Sequence, residues 1–287
     1  MQFLKMVYAD TWVLIRDSKR RYIPVVLFLI FNVVTLRASL AYYSNYAKDG
    51  FSSSFTCIDA IANLYMGVRP RQPSMFEQFT LPFEWLITLM APCYLVAGFV
   101  ERLRSKSSTL FLTFCGNRWL CWLIRFCSIS FIALLYSIIM FVVSFLSVFI
   151  LGGSISLSLS DGFVLSSSTM GDIAVLSPYE CWATLGSCVV LSLSLVVVFS
   201  VVSYFVGSTY SFIAIAVYLT CSAYFAHPLW LGNFAMVARS TEFFTAGFNP
   251  FVGMGLGASL VIFVFVGGGL HFNTCDLLGR GDYEQCR

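Results

Sequence analysis

Successive apolar stretches, each close to twenty residues long and nearly free of charge, constrain this chain more than any other feature of its sequence. A bilayer's hydrocarbon core is about 30 Å thick and offers no water to backbone N–H and C=O groups, so a segment crossing it needs roughly 20 apolar residues wound into a helix. Six stretches fit, at 23–43, 83–100, 128–150, 183–206, 210–226 and 254–271. Composition agrees: 59% of the 287 residues are hydrophobic, 17% aromatic and 11% charged, outside the usual range of soluble domains. The expectation is an all-α membrane protein with one transmembrane domain over 1–287. It comprises an N-terminal interfacial segment at 1–22, a six-span region at 23–271 and a cytoplasmic tail at 272–287.

Charge orients that layout, because basic loop residues are retained on the cytoplasmic side. With the N-terminus inside, twelve of the seventeen bases fall in cytoplasmic segments: Lys5, Arg16, Lys19, Arg20, Arg21, Arg102, Arg104, Lys106, Arg118, Arg125, Arg280 and Arg287. The opposite side holds Lys48, Arg69, Arg71 and Arg239, and Arg37 lies inside the first apolar run. Both termini are therefore expected in the cytoplasm. The stretch VERLRSKSSTLFLTFCGNRWLCWLIRFC, with five bases and the single acid Glu101, becomes an inner loop.

The N-terminus MQFLKMVYADTWVLIRDSKRRY lacks a short apolar core followed by small residues, so no cleavable signal peptide is read there. Phe3, Leu4, Val7, Trp12 and Ile15 mix with Lys5, Asp10, Arg16 and Asp17, which suits an amphipathic helix lying among headgroups. A partly ordered basic tail is the alternative. Of ten cysteines, only Cys57 and Cys181 are placed to meet an oxidising exterior. Spacing does not pair them, and small unpaired apolar residues are the default reading.

The outer connections carry the unusual organisation. The first is about forty residues long and contains an Arg-Pro-Arg-Gln-Pro run from Arg69, which suggests a small cap. In the second, Ile155, Leu157 and Leu159 alternate with serines, a period of two that suggests a short strand, with a flexible serine-rich loop as the alternative. The third, HPLWLGNFAMVARSTEFFTAGFNPFVGM, is apolar and aromatic yet holds Arg239, Glu242 and an Asn-Pro break. A re-entrant helical hairpin is expected there, against a compact loop lying on the bilayer. Ionisable groups at such depth usually face protein or water. Arg37 and Glu84 are expected to pair or to share a polar outer vestibule, with Arg239 and Glu242 on the same side. Arg37 could instead snorkel to the headgroups.

Motifs for enzyme chemistry are not found. The sequence has no GxxxxGK[ST] phosphate loop, HExxH, CxxC pair or GxSxG elbow. His227 and His271 sit at opposite expected ends of the membrane, where packing is the simpler role. Ser192, Ser194, Ser200 and Ser203 suit bonds within their own helix or close helix packing. Gly267, Gly268 and Gly269 suit a bend or close approach.

The segments MQFLKMVYADTWVLIRDSKRR, ERLRSKSSTLFLTFCGNRW and HPLWLGNFAMVARSTEFFTAGFNPF, in this order among six spans, resemble the membrane subunit of a type-2 ABC exporter. The likeness is one of arrangement and covers nearly the whole chain. It implies that the loop after the second span carries a coupling helix, roughly 105–117, which docks on an ATP-binding subunit. Leu110, Phe111, Leu112 and Phe114 would supply the apolar contact, framed by Arg102, Arg104, Lys106 and Arg118; covering the bilayer surface is the plainer use of the same residues. It further implies a transport subunit without its own ATPase, in the cell membrane of a bacterium. ATP and Mg would be held by the separate partner, a second permease copy or a related one would complete the assembly, and nucleic acid has no part. The implied activity is export of an amphipathic or hydrophobic substrate such as a peptide antibiotic or lipid-like molecule. The runner-up is a non-transporting immunity or sensory subunit that binds an extracellular peptide.

Overall fold

The computed structural model describes residues 2–46, 55–69, 80–103, 117–156, 158–160, 163, 178–243 and 246–274. Among the described residues seven α-helices run in the order α1 (Gln2–Tyr46), α2 (Cys57–Leu64), α3 (Phe83–Leu103), α4 (Arg118–Ile150), α5 (Pro178–Val206), α6 (Ser208–Tyr224) and α7 (Pro250–Thr274). Two 3-10 turns, Leu231–Ala235 and Val237–Arg239, lie between the last two. Among the described residues four helices are long and apolar enough to cross a membrane, in α1, α4, α5 and α7, which makes this a multi-pass membrane protein. The apolar part of α3, Phe83–Gly98, is shorter, and α6 has 17 residues. Each of the six expected stretches nevertheless lies largely or wholly within a helix.

α1 departs from the expected layout. The interfacial segment and the first apolar run form one unbroken helix of 45 residues, about 67 Å long at 1.5 Å per residue. No glycine interrupts it, and Pro24 removes only one backbone donor. The Ser18 hydroxyl bonds back to the Leu14 carbonyl at 2.7 Å within the same helix. Side-chain anchors also hold its first half to the bundle. Asp10 pairs with Arg125 of α4 at 3.1 Å, Thr11 bonds Ser128, and Phe3, Met6 and Val7 pack on Cys121 and Ile124. Arg21 donates to the Tyr94 carbonyl of α3 at 3.0 Å in a notch left by Gly98, where a Cβ would collide with the guanidinium. The opposite face presents Leu4, Tyr8 and Trp12, each more than half exposed.

Burial concentrates on α5, 61% of whose most apolar window is enclosed, against 11% for α7. Glycines set the close approach of these two helices: a Cβ on Gly186 would meet Met254, and one on Gly253 would meet Ser187 and Phe234. Ser194 and Ser200 bond carbonyls of their own helix, at Leu191 and Val196. Gly268 and Gly269 make room for the rings of Trp122 and Trp119, so the glycine run serves close approach at those two positions. A single residue, Gly207 at φ 97°, reverses the chain between α5 and α6, a conformation that glycine adopts without a Cβ penalty.

Candidate functional site

The helices alternate so that their connections gather at two ends. At one end the N-terminal half of α1 meets the start of α4 through Asp10 and Arg125, Trp122 donates to the Phe265 carbonyl near the end of α7, and Phe205 packs against His271 at 4.8 Å. Here α4 begins on Asn117, whose side chain accepts from the Trp119 N–H, so Arg118 stands in the helix's first turn. Arg102 lies in the last turn of α3. Arg104, Lys106, Leu110, Phe111, Leu112 and Phe114 lie outside the described residues, as do the side chain of Arg102 and the expected tail at 275–287.

At the other end the connections between α1 and α3, α4 and α5, and α6 and α7 join. The first contributes α2, opened by a capping box in which Thr56 and Asp59 satisfy each other's backbone N–H groups. Asp59 is fully buried and also accepts from the Ser160 N–H at 2.9 Å, which ties α2 to the second connection. Burial holds its carboxyl above the ordinary range, and the hydrogen bonds to Ser160 and Thr56 act in the opposite direction. Cys57 is a free thiol that donates to the Ser156 carbonyl; the side chain of Cys181 is outside the description. The expected strand at 154–160 reduces to a single bridge between Ser154 and Thr56. Once Phe55, Thr56, Cys57 and Asp59 supply partners to Ser154, Ser158, Ser156 and Ser160, no neighbouring strand is required.

The third connection is not a helical hairpin. It consists of the two 3-10 turns, with residues 232–237 all buried, and irregular backbone so placed must find its hydrogen bonds in the surrounding protein. Trp85 of α3 donates to the Ala235 carbonyl at 2.9 Å, Ser187 of α5 to Phe234, and the Val237 and Ala238 N–H groups donate to Tyr65 and Met66 beyond α2. Asn233 donates to the Phe225 and His227 carbonyls. These interactions replace the i to i−4 bonds of a hairpin.

Arg239 closes this arrangement and, at 1% exposure, faces protein and not an open vestibule. Its Nε donates to the Val68 carbonyl at 2.7 Å. Nη1 donates to Ser222 and to the Asn233 carboxamide, and Nη2 to Ala223 and Arg69. All five donors of a guanidinium are thereby used, two of them on the last carbonyls of α6, where the helix dipole favours a cation. Burial pushes its pKa down to about 10, which leaves it charged at neutral pH.

Each of the other expected vestibule residues has a contact of its own. Glu242 accepts from Thr184 of α5. Arg37 lies over the Phe55 ring, 4.9 Å from its centroid. Glu84, in the first turn of α3, is exposed and accepts from Asn63 Nδ2 of α2 at 3.1 Å. Asn32 of α1, not singled out from the sequence, also faces the Glu84 carboxylate. The residue is 1% exposed. His227 accepts from the Leu229 N–H. Among the described residues no three His, Cys, Asp or Glu side chains gather to hold a metal.

No protein-family model matches the chain, and neither does any curated protein or solved structure.

Proposed function

We propose that this chain is the membrane subunit of a type-2 ABC exporter, with six spans and both termini in the cytoplasm, working with a separate ATP-binding subunit that holds ATP and Mg. The observation that carries this reading is the two-ended organisation. The N-terminal segment, the start of α4 and the end of α7 meet at one end through the Asp10–Arg125 and Trp122–Phe265 contacts. The three long outer connections interlock at the other. An even number of crossings, a basic connection between α3 and α4 and a closed outer cap support a permease whose inner end meets a motor. A second copy or related chain completes the pathway, and the substrate is amphipathic or hydrophobic. ATP-driven closure of the motor moves the inner connection, and it shifts the permease only as far as the two states differ in their interaction with it.

The test is Leu110→Ala with Phe111→Ala, compared with Arg102→Gln, Arg104→Gln and Lys106→Gln. The apolar pair should reduce binding of the ATP-binding subunit and transport while insertion stays intact. The basic set should alter topology or give salt-sensitive docking. Cysteine accessibility from each side, copurification and transport are read in the same membranes. Intact partner binding and transport in the apolar double variant would overturn the coupling role of this loop.

A further inference from the structure

Two independent sets of contacts fix the depth of the basic band of α1, formed by Arg16, Lys19 and Arg20. From the inner end, Val7 packs on Cys121 and Ile124 of α4, and Trp122 between them in sequence donates to the Phe265 carbonyl near the end of α7. Arg16 stands nine residues beyond Val7, about 13 Å further into the bundle. From the outer end, Trp85 of α3 donates to the Ala235 carbonyl, and the adjoining Phe234 lies against Gly253 in the first turn of α7. Arg21 bonds the Tyr94 carbonyl, nine residues and again about 13 Å inward from Trp85. The band therefore lies near mid-depth in a bundle whose α7, of 25 residues, is about as long as a bilayer is thick. Charge read along the sequence puts these bases at the cytoplasmic foot of the apolar run at 23–43; the helix contacts put them deeper.

All three basic residues are exposed among the described residues. At the same level of α4, just beyond the Thr11–Ser128 contact, Phe131 and Leu134 present apolar surface. Cations at such depth face protein or water and not lipid. Snorkelling does not release them, because a Lys or Arg stem is shorter than the two helical turns, about 11 Å, that it would have to climb. Asp17 lies 4.0 Å from Arg16, and one acid against three bases leaves the band positive. The stripe continues at helical spacing with exposed Tyr8 and Trp12 towards the inner end and exposed Ile23 and Leu27 towards the outer. A cationic patch between apolar flanks matches an anionic head on a hydrocarbon tail. The bilayer's own headgroups stay in its two interfacial layers, too far off to serve. We propose that Arg16, Lys19 and Arg20 line a water-filled passage within the membrane and bind the phosphate or carboxylate head of a single-chain amphipath. That this amphipath is the exported cargo rests on the exporter reading, whereas the wetting and the binding do not.

The test uses the full chain in phosphatidylcholine nanodiscs without any ATP-binding subunit, with single substitutions Arg16→Cys, Lys19→Cys, Arg20→Cys, Phe131→Cys and Leu134→Cys. Alkylation by iodoacetamide, which reacts with the thiolate that forms in water, is followed at each site by mass spectrometry, so the native cysteines do not interfere. The three α1 positions should react roughly tenfold or more faster than the two α4 positions. Dodecyl phosphate should then slow the reaction of Lys19→Cys by about threefold or more, an effect that fades as salt is raised. Dodecylphosphocholine, with the same tail and no net charge, should not. Adding Arg16→Gln and Arg20→Gln should abolish this protection while circular dichroism shows the chain folded; if it does not fold, Arg20→Gln alone should reduce it. Slow reaction at all five positions, or equal reaction at all five, would overturn the wetted band. Fast reaction at the three without protection by dodecyl phosphate, or with equal protection by dodecylphosphocholine, would overturn the anion site. Phosphatidylglycerol in the nanodiscs should leave the rates unchanged, and protection by it would show that bilayer headgroups reach the band and overturn its placement. Failure to recover an ATP-binding partner would count against the exporter reading alone.

Discussion

Replacing Arg239 by Met keeps a long apolar stem but removes all five guanidinium donors from the connection between α6 and α7. The guanidinium serves four carbonyls, of Val68, Arg69, Ser222 and Ala223, and the Asn233 carboxamide. Hydrogen bonds to charged groups contribute about 1.5–3 kcal/mol each, but partial relaxation and water entry keep such losses from adding. Truncating one partner of a buried charged network typically costs about 3–5 kcal/mol, or on the order of a hundred- to a few thousand-fold in the folded ratio at ~1.4 kcal/mol per factor of ten. Arg239→Lys retains the charge with three donors in place of five, and should cost about 2 kcal/mol. Detergent-titrated unfolding of the purified protein, followed by tryptophan fluorescence and circular dichroism, gives these differences. Hydrogen exchange should show the Met236, Val237 and Ala238 amides losing protection before the core of α5. A Met variant within about 1 kcal/mol of the native protein, with those amides still protected, would refute the Arg239 hydrogen bonds as what permits buried irregular backbone.

Gly67→Ala places a Cβ against Met236 at a residue with φ of 69°; it should cost about 1–2 kcal/mol or more from backbone conformation alone, measured in the same titration. Gly98→Val fills the notch occupied by Arg21 and should cost about 1–3 kcal/mol, with cysteine cross-linking between α1 and α3 reporting their separation. Burial holds the Asp59 carboxyl above its ordinary 3.8, so the folded protein keeps this proton to higher pH than the unfolded chain does. The group's contribution is complete below 3.8 and is lost as pH rises through the raised folded value. Asp59→Asn should therefore give a flatter stability profile than the native protein from about pH 4 upward; parallel profiles would contradict the burial argument.

The apolar runs were legible because twenty-residue hydrophobic stretches have few alternatives to helix. Their ends were less so: α4 begins at Arg118, ten residues before the apolar run, on an Asn117 cap that hydropathy does not register. The same reading divided α1 at its basic residues, since a sequence shows Asp10 and Arg125 as separate charges and not as the pair that keeps the helix on the bundle. The connection between α6 and α7 was recognisable as too apolar for a solvated loop. Its 3-10 form was not, because it depends on donors from Trp85, Ser187 and Arg239, which lie far apart in the chain. Thr56 and Asp59 do carry a readable local sign, the spacing of a capping box. Asn32 carries none, because it meets Glu84 only once α3 packs beside α1.

The exporter account is tested most directly by purifying the tagged full chain from its own membranes under mild detergent and identifying what accompanies it. The account predicts an ABC ATP-binding subunit in near-equal amount, ATP hydrolysis by the purified complex, and loss of both in the Leu110→Ala, Phe111→Ala chain. Recovery of the folded native chain with no ATP-binding subunit and no ATPase activity, or with a peptide ligand as its sole companion, would contradict it.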